Sequence, residues 1–498
     1  MDPVASSQSV RRHWPLATSI LILAVVLGWL SLEIQKGTLV ATDELLTAER
    51  TREMLFSGPW LVHFNFHPSF EKPPLQYWLT TLTLPRFENS SAAVRIWSLV
   101  YAALTAVALI WLVSLLHPDR SWLVPLTLAV LFSCPLFAMQ ATRGLLDLGL
   151  AFFTTAAILF SEFARKRPAW WLAVAACCWL GSLQKNPLPF LVWLLILAVR
   201  VTSRSERPKL KSGWLRLSLI LSLVLMSAWP LLQLIKYHMP WWSVFHEEVI
   251  VWLGPTGLGA KPYFEIPIRM TINAGLCGLL ALIAPFLILF WRKASASAPE
   301  RELAWICLIG IALAIVSNFR HVRYVIPFIP VLCYLVAFVF FRLLQGARAV
   351  RRLTIFGLLF LLLAGLIETK IEIDHLEGKD DRNDPVNALI PALTVPKDVT
   401  DEKEIAEKLG ALQGAGAQIV LVKAIKPGAD LLWDSFYLFH GKLRSSVTKY
   451  TVDQIQANPP APPLIGASVA RDLPVLQRLY PHLQVELTKA QFVCWQVR

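Results

Sequence analysis

Charge is scarce in this chain: Asp, Glu, Lys and Arg make up 16% of its 498 residues, whereas 55% are hydrophobic. A soluble globular protein carries about 25% charged residues, so this scarcity excludes an ordinary soluble domain and places the chain in the membrane class. The mean hydropathy of +0.53 agrees. Cysteine is sparse too, with Cys134, Cys177, Cys178, Cys277, Cys307, Cys333 and Cys494 scattered along the chain. Six of them lie in apolar runs, where Cys acts as a small hydrophobe. No pair has zinc-ligand spacing, and no disulfide framework is visible. Acidic residues are outnumbered, 34 against 47, which leaves a net charge of +13. In a soluble protein such an excess suggests nucleic acid. Here the basic residues sit in loops between apolar runs and mark the cytoplasmic side, so no nucleic-acid partner is expected. Internal repeats and low-complexity tracts are lacking, and many transporters are built on repeats.

The sequence does contain a series of spanning-length apolar runs, near Trp14–Ile34, Val94–Leu116, Trp122–Ala138, Leu146–Phe163, Ala169–Leu183, Pro187–Val201, Trp214–Tyr237, Met270–Trp291, Leu303–Ser317, Val325–Leu344 and Leu353–Glu368. They predict an all-α polytopic membrane protein of about eleven transmembrane helices. The first run follows Arg11-Arg12, is longer than a signal-peptide core and has no small-residue cleavage site after it, so it reads as an uncleaved span. If Arg11-Arg12 face the cytoplasm, every second connection should be basic. Those connections carry Arg120; Arg165-Lys166-Arg167; Arg200 to Arg216; Arg292, Lys293 and Arg301; and Arg342 to Arg352. The short connections between them carry only Arg143, Lys185, and Arg320 with Arg323. The alternation sets the orientation. The spans and the long first extracytoplasmic loop, residues 36–93, make a membrane domain over 1–370. Residues 371–498 read as a small soluble α/β domain outside the membrane, with a helix over Glu402–Leu412 and strands over Ala417–Val422, Phe436–Phe439, Pro463–Val469 and Gln484–Leu487.

Given this topology, the unusual polar residues collect on the extracytoplasmic side. Ionisable groups near a membrane are costly unless paired or solvated, so the set is a functional candidate. Asp43-Glu44, just beyond the first span, can accept a proton from an attacking hydroxyl or hold a divalent ion; they also suit the first turn of a helix over Leu45–Leu55. In Phe70-Glu71-Lys72-Pro73-Pro74-Leu75 two prolines fix the backbone and present a preorganised ammonium, suited to a phosphate leaving group. Arg143 and Asp147 are four apart, on one face if helical, and could pair with each other. Lys185, Lys261 and Arg323-Tyr324 are cations beside a membrane boundary, suited to a phosphate or to snorkelling. His238, His246, Glu247 and Glu248 could join Glu71 as ligands of a divalent metal ion.

Asp43-Glu44, "REML" (Arg52–Leu55) and "FEKPPLQYW" (Phe70–Trp78) resemble the bacterial aminoarabinose transferases of lipid A and their relatives, polyprenyl-phosphate-sugar-dependent glycosyltransferases of the GT-C fold related to protein O-mannosyltransferases. "ATRGLLDLGLAFF" (Ala141–Phe153), "GSLQKNPLPFL" (Gly181–Leu191), "KPYFEIP" (Lys261–Pro267) and "RYVIPFIP" (Arg323–Pro330) extend the resemblance over roughly residues 10–370. Asn186 departs from it, standing where the family often has Gly. So does His246-Glu247-Glu248, in place of the family's Glu-His pair. The resemblance implies a multi-pass protein of the bacterial inner membrane that moves a sugar from a polyprenyl-phosphate (undecaprenyl-phosphate) donor, with inversion, to a lipid, glycan or protein acceptor on the periplasmic side. Asp43, with Glu44 and Asp147, would then be catalytic. Lys72, Lys185, Lys261, Arg323 and Tyr324 would bind the donor phosphate, and Glu71, His246 and Glu247 would be metal ligands. A glycan polymerase or ligase shares this chemistry, and a transporter of lipid-linked substrates is a rival from another class.

Overall fold

A computed structural model describes residues 3–39, 42–202, 206–246, 250, 265–291, 296–317, 321–376, 399–414, 416–423 and 434–498. Contacts divide the chain into two units. One comprises Met1–Gln35, Phe70–Gln76 and Arg95–Ile373; the other comprises Lys36–Ser69, Tyr77–Val94 and Asp374–Arg498. Most of the first long loop, counted above with the membrane domain, thus groups with the C-terminal residues.

In chain order the helices are α1 (Pro3–Glu33), α2 (Thr42–Ser57), α3 (Leu75–Thr83), α4 (Ser90–Leu116), α5 (Leu123–Phe132), α6 (Pro135–Ala141) and α7 (Asp147–Ala164). They continue as α8 (Trp171–Gln184), α9 (Leu188–Thr202), α10 (Gly213–Tyr237), α11 (Trp241–Phe245), α12 (Glu265–Asn273), α13 (Gly275–Phe290), α14 (Ala298–Val316), α15 (Ile329–Leu344) and α16 (Arg348–Leu376). Each apolar run singled out in the sequence is helical. Among the described residues six helical segments are long and apolar enough to cross a membrane, or seven when the pair α5 and α6, bent by 73°, counts as one. The bend falls where Cys134 leaves helical geometry ahead of Pro135, whose ring cannot continue the preceding helix. The chain is a multi-pass membrane protein.

The helical unit does not leave its charges in loops. Arg200, 1% exposed, donates to both carboxylate oxygens of Glu302, to Glu162 at 2.5 Å and to the Ser161 carbonyl at 3.0 Å. Arg165 reaches the same Glu302 at 2.9 Å. Two arginines counted as cytoplasmic markers therefore clamp α7, α9 and α14 together. A charge buried this deeply is tolerated only because its partners are in place.

The second unit holds a five-stranded sheet of order β4-β3-β5-β7-β6: β3 Gln418–Lys423, β4 Val447–Thr451, β5 Leu464–Val469, β6 Gln484–Lys489 and β7 Phe492–Val497. β3 runs parallel to β4 and β5, and β7 runs antiparallel to β5 and β6. One face is covered by α17 (Thr400–Leu412), α18 (Asp434–His440) and the first loop, since Leu39, Leu45, Ala48 and Val94 share a core with Ile405, Leu409, Phe436 and Ile465. α19 (Val452–Ala457) and α20 (Leu473–Leu479) cover the other face, around Trp495 and Tyr480. The first loop is thus part of this domain's core. Within it β1 (His63–Phe64) and β2 (His67–Pro68) form a hairpin whose two turn residues, Asn65 and Phe66, both have positive φ, as a type I′ turn requires.

The expected strand Phe436–Phe439 is instead the helix α18. Four apolar residues in a row suit either state, and here all four side chains are enclosed. β4 and β7 were not foreseen. The helix over Glu402–Leu412 and the strands near 417–422, 463–469 and 484–487 are present.

Replacing Arg200 by Met should leave the buried Glu162 and Glu302 to Arg165 alone and destabilise the helical unit by about 3–5 kcal/mol. A drop in the thermal midpoint of the detergent-solubilised protein checks this.

Candidate active site

α8 ends at Gln184, and Lys185 leaves the helix with φ −154°. The next turn is held by the Asn186 side chain, which accepts from the Leu188 amide at 3.1 Å ahead of α9. This sharp exit turns Lys185 toward the first residue of α7. Its Nζ lies 2.5 Å from Asp147 Oδ1, with the Lys side chain 15% and the Asp side chain 4% exposed. The same Nζ sits 5.8 Å from the ring centroid of Tyr324 in the 3₁₀ turn Val322–Phe328. Asp147, Lys185 and Tyr324, drawn from three distant stretches of sequence, are thus assembled into one ion pair under an aromatic face. The cation–π contact adds to a short, charge-assisted hydrogen bond.

A second network supports the first. Gln184 Nε2 donates to Gln76 Oε1 at 3.0 Å and to the Leu146 carbonyl at 3.2 Å, while Tyr101 donates its hydroxyl to Gln184 Oε1 at 3.1 Å. Gln76 and Gln184 are fully buried. One amide therefore ties the segment carrying Glu71 and Lys72 to the start of α7 and to the end of α8. Gly149 makes the approach feasible, since a Cβ there would lie 2.4 Å from Gln184 Cδ. Sequence reasoning passed over Gln76, Tyr101, Gly149 and Gln184. The available signal was a pair of amides inside otherwise apolar segments, where a polar group needs a partner.

The remaining candidates of this unit differ in exposure. Glu71 is exposed; Lys72 and Arg323 are half-buried. Arg143 is buried but lies in the non-helical stretch between α6 and α7, so the four-residue helical spacing with Asp147 does not arise, and Asp147 pairs with Lys185. His246 is exposed. Lys261, Glu247, Glu248 and Arg320 lie outside the described residues.

Asp43 and Glu44 occupy the first turn of α2 in the second unit, where acidic residues favour the helix; Asp43 is half-buried and Glu44 is 1% exposed. Farther along α2, Glu49 receives Arg52 bidentately at 2.6 and 2.7 Å, and Arg52 also donates to the Leu443 carbonyl at 2.7 Å. Arg50 donates to the Tyr77 hydroxyl at 3.1 Å. Glu53 accepts from the Phe66 amide at 2.8 Å, yet burial and the nearby Glu49 push its carboxyl up to about 8. Glu49 and Glu53 are thus engaged by the loop's own fold.

For a metal ion, the described residues offer one group of three donors within reach of a single ion, the buried Cys134, Cys277 and Cys333, whose sulfurs lie within 4.8 Å of one another. Glu71 and His246 do not form such a group with a third described residue.

Residues 71–231 match the family model described as dolichyl-phosphate-mannose-protein mannosyltransferase. A protein of Sodalis glossinidius, undecaprenyl phosphate-alpha-4-amino-4-deoxy-L-arabinose arabinosyl transferase 2, is 33% identical over 181 residues, covering 35% of this chain and 33% of that one. The Yersinia pestis arabinosyl transferase with the same donor name is 27% identical over 331 residues, covering 64% and 58%. The chain therefore spans a third to under two thirds of these relatives. ArnT from Cupriavidus metallidurans, crystallised with undecaprenyl phosphate, superposes with a TM-score of 0.72 at 16% identity, over 96% of this chain and 97% of that one. An Archaeoglobus fulgidus oligosaccharyltransferase gives 0.53 at 13% identity, over 80% and 60%. The polytopic helical fold with a small C-terminal α/β domain is thus borne out over nearly the whole chain, and the resemblance read from the motifs stands.

Substituting Gln184 by Leu should leave the Gln76 and Tyr101 side chains buried without this partner and cost about 1–3 kcal/mol; a lowered thermal midpoint would show it. The Glu53 carboxyl is raised in the folded state, so its stabilising contribution is complete below the unfolded value near 4.5 and disappears as pH rises through about 8. Glu53→Gln should accordingly be more stable than the native chain at about pH 9, by an amount on the order of a few kcal/mol that narrows toward about pH 5. Thermal melts across that range test the sign.

Proposed function

We propose that the chain is a membrane glycosyltransferase that moves a sugar from a polyprenyl-phosphate donor to an acceptor outside the cytoplasm, inverting the anomeric centre. The observation that carries this reading is the Asp147–Lys185–Tyr324 assembly, coupled through Gln184 to the segment that bears Lys72. Ionisable residues buried in a helical membrane protein are costly and mark functional positions, and an ammonium at a helix junction suits an anionic ligand. The named donors and ligand of the relatives, undecaprenyl-phosphate compounds, supply such an anion.

In this mechanism the acceptor hydroxyl attacks the anomeric carbon from the face opposite the phosphate. Its proton passes to the Asp43 carboxylate, with Glu44 beside it. The bond between the anomeric carbon and the phosphate oxygen breaks, and the electron pair leaves with the polyprenyl phosphate. Lys72, Lys185, Lys261, Arg323 and Tyr324 hold that phosphate and stabilise the charge that grows on it. Asp147 and Glu71 orient the cations, and Asp147 holds Lys185 in place. The donor reaches the site laterally from the bilayer. The site lies on the periplasmic side of a bacterial inner membrane, and the acceptor is a glycolipid of the lipid A kind, another glycan or a protein.

Asp43→Asn should lower turnover by about 10²–10⁴-fold with little change in the KM for donor, because it removes proton acceptance alone. Lys72→Ala should raise the KM for donor and lower kcat as well. The assay is sugar transfer from a radiolabelled lipid donor by correctly inserted protein. Native rates in both variants would overturn the assignment.

A further inference from the structure

The second unit contains a cavity of about 700 Å³ whose lining residues all belong to that unit. This is the size of a small-ligand site. Its walls carry Arg52, Lys403, Lys442 and Arg444 against Glu88 and Glu407. Arg52 is committed to Glu49, and Lys403 stands 4.0 Å from Glu407. Lys442 and Arg444 are exposed, and their side chains form no ion pair with any described residue. Lys442 also has φ +49°, a left-handed conformation at the end of α18 that usually falls to glycine. A long cationic side chain is thus kept where the backbone favours none, and such strain concentrates at functional positions.

The rest of the lining narrows the ligand. Thr38, Ser90 and Ser91 supply hydroxyls. The start of α4 is already capped, Asn89 accepting from the Ser91 and Ala92 amides, so the helix end is not the attraction. His440 adds no charge: burial, with Lys403 beside it, holds it down to about 4. Leu55, Phe56 and Phe87 also line the cavity and are 44%, 71% and 43% exposed. Solvent-facing apolar side chains grouped with two free cations suit a ligand that is anionic at one end and greasy at the other.

We propose that this cavity binds the phosphorylated headgroup of an amphiphile, with Lys442 and Arg444 on the phosphate and Leu55, Phe56 and Phe87 on the apolar chain. That the amphiphile is the acceptor rests on the glycosyl-transfer reading; the binding itself does not.

The test titrates the purified full chain in neutral detergent, without any sugar donor, with dihexanoylphosphatidic acid, inorganic phosphate or dihexanoylphosphatidylcholine. Phosphatidic acid should bind saturably, and binding should weaken as salt is raised from about 50 to about 500 mM. Its affinity should fall about tenfold in K442Q/R444Q and persist in K442R/R444K. Phosphate should bind more weakly and phosphatidylcholine not at all. Native affinity in the glutamine variant, salt-independent binding, or equal binding of the zwitterionic lipid would overturn the site. Equally tight inorganic phosphate would overturn the amphiphile. If the glutamine variant does not fold, the salt series and the three ligands still decide the matter on the native chain. Because no donor is present, a failed titration leaves the transfer reading standing, and a failed transfer assay leaves the binding result standing.

Discussion

The pair Asp147–Lys185 is the constraint around which the helical unit is organised. A lone ammonium or carboxylate at this depth would be driven to neutralise or to reach water, and a 2.5 Å bond between the two removes that need. Keeping the bond requires three chain segments to meet: the start of α7, the abrupt end of α8 and the 3₁₀ turn that bears Tyr324. Gln184 secures that meeting by bonding to Gln76, Leu146 and Tyr101, and Gly149 leaves room for it. The candidate chemistry is therefore positioned by neutral amides that would themselves take no part in it.

The second unit follows a different logic. Its core is apolar, a twisted sheet between two layers of helices, and the first loop contributes Leu39, Leu45 and Ala48 to it. Asp43 is thus carried on a helix anchored by its own hydrophobic face and by the Arg52–Leu443 and Arg50–Tyr77 contacts. Under the proposed mechanism Asp43 receives a proton, and a helix in a packed core fixes such a carboxylate better than a flexible connection would. The same packing opens the cationic cavity between α2, the start of α4 and the end of α18.

Much of this was legible in the chain. The apolar runs became helices because a chain in lipid must satisfy its backbone internally, and hydropathy reports that demand directly. The helix α17 and the strands β3, β5 and β6 were readable from period and composition. Phe436–Phe439 was misread because a short apolar run is compatible with helix or strand, and enclosure on all sides erases the periodicity that would separate them. Lys185, Asp147 and Tyr324 were recognisable as unusual residues, but the pairing of Asp147 with Lys185 was not readable, and the helical spacing of Arg143 and Asp147 does not arise because the chain between them is not helical.

By itself, then, the sequence determined the class of the protein, the helical state of its apolar runs and the residue types available for binding a phosphate, since these depend on local composition and on the cost of placing charge in hydrocarbon; it expected about eleven spans, whereas six or seven of the described helical segments are long and apolar enough to cross a membrane. Tertiary structure alone decided which acid meets which base, that Gln184 joins three segments, and that the first loop belongs to the core of the C-terminal domain. Those outcomes depend on distances between residues tens to hundreds of positions apart, and neither periodicity nor propensity carries that information.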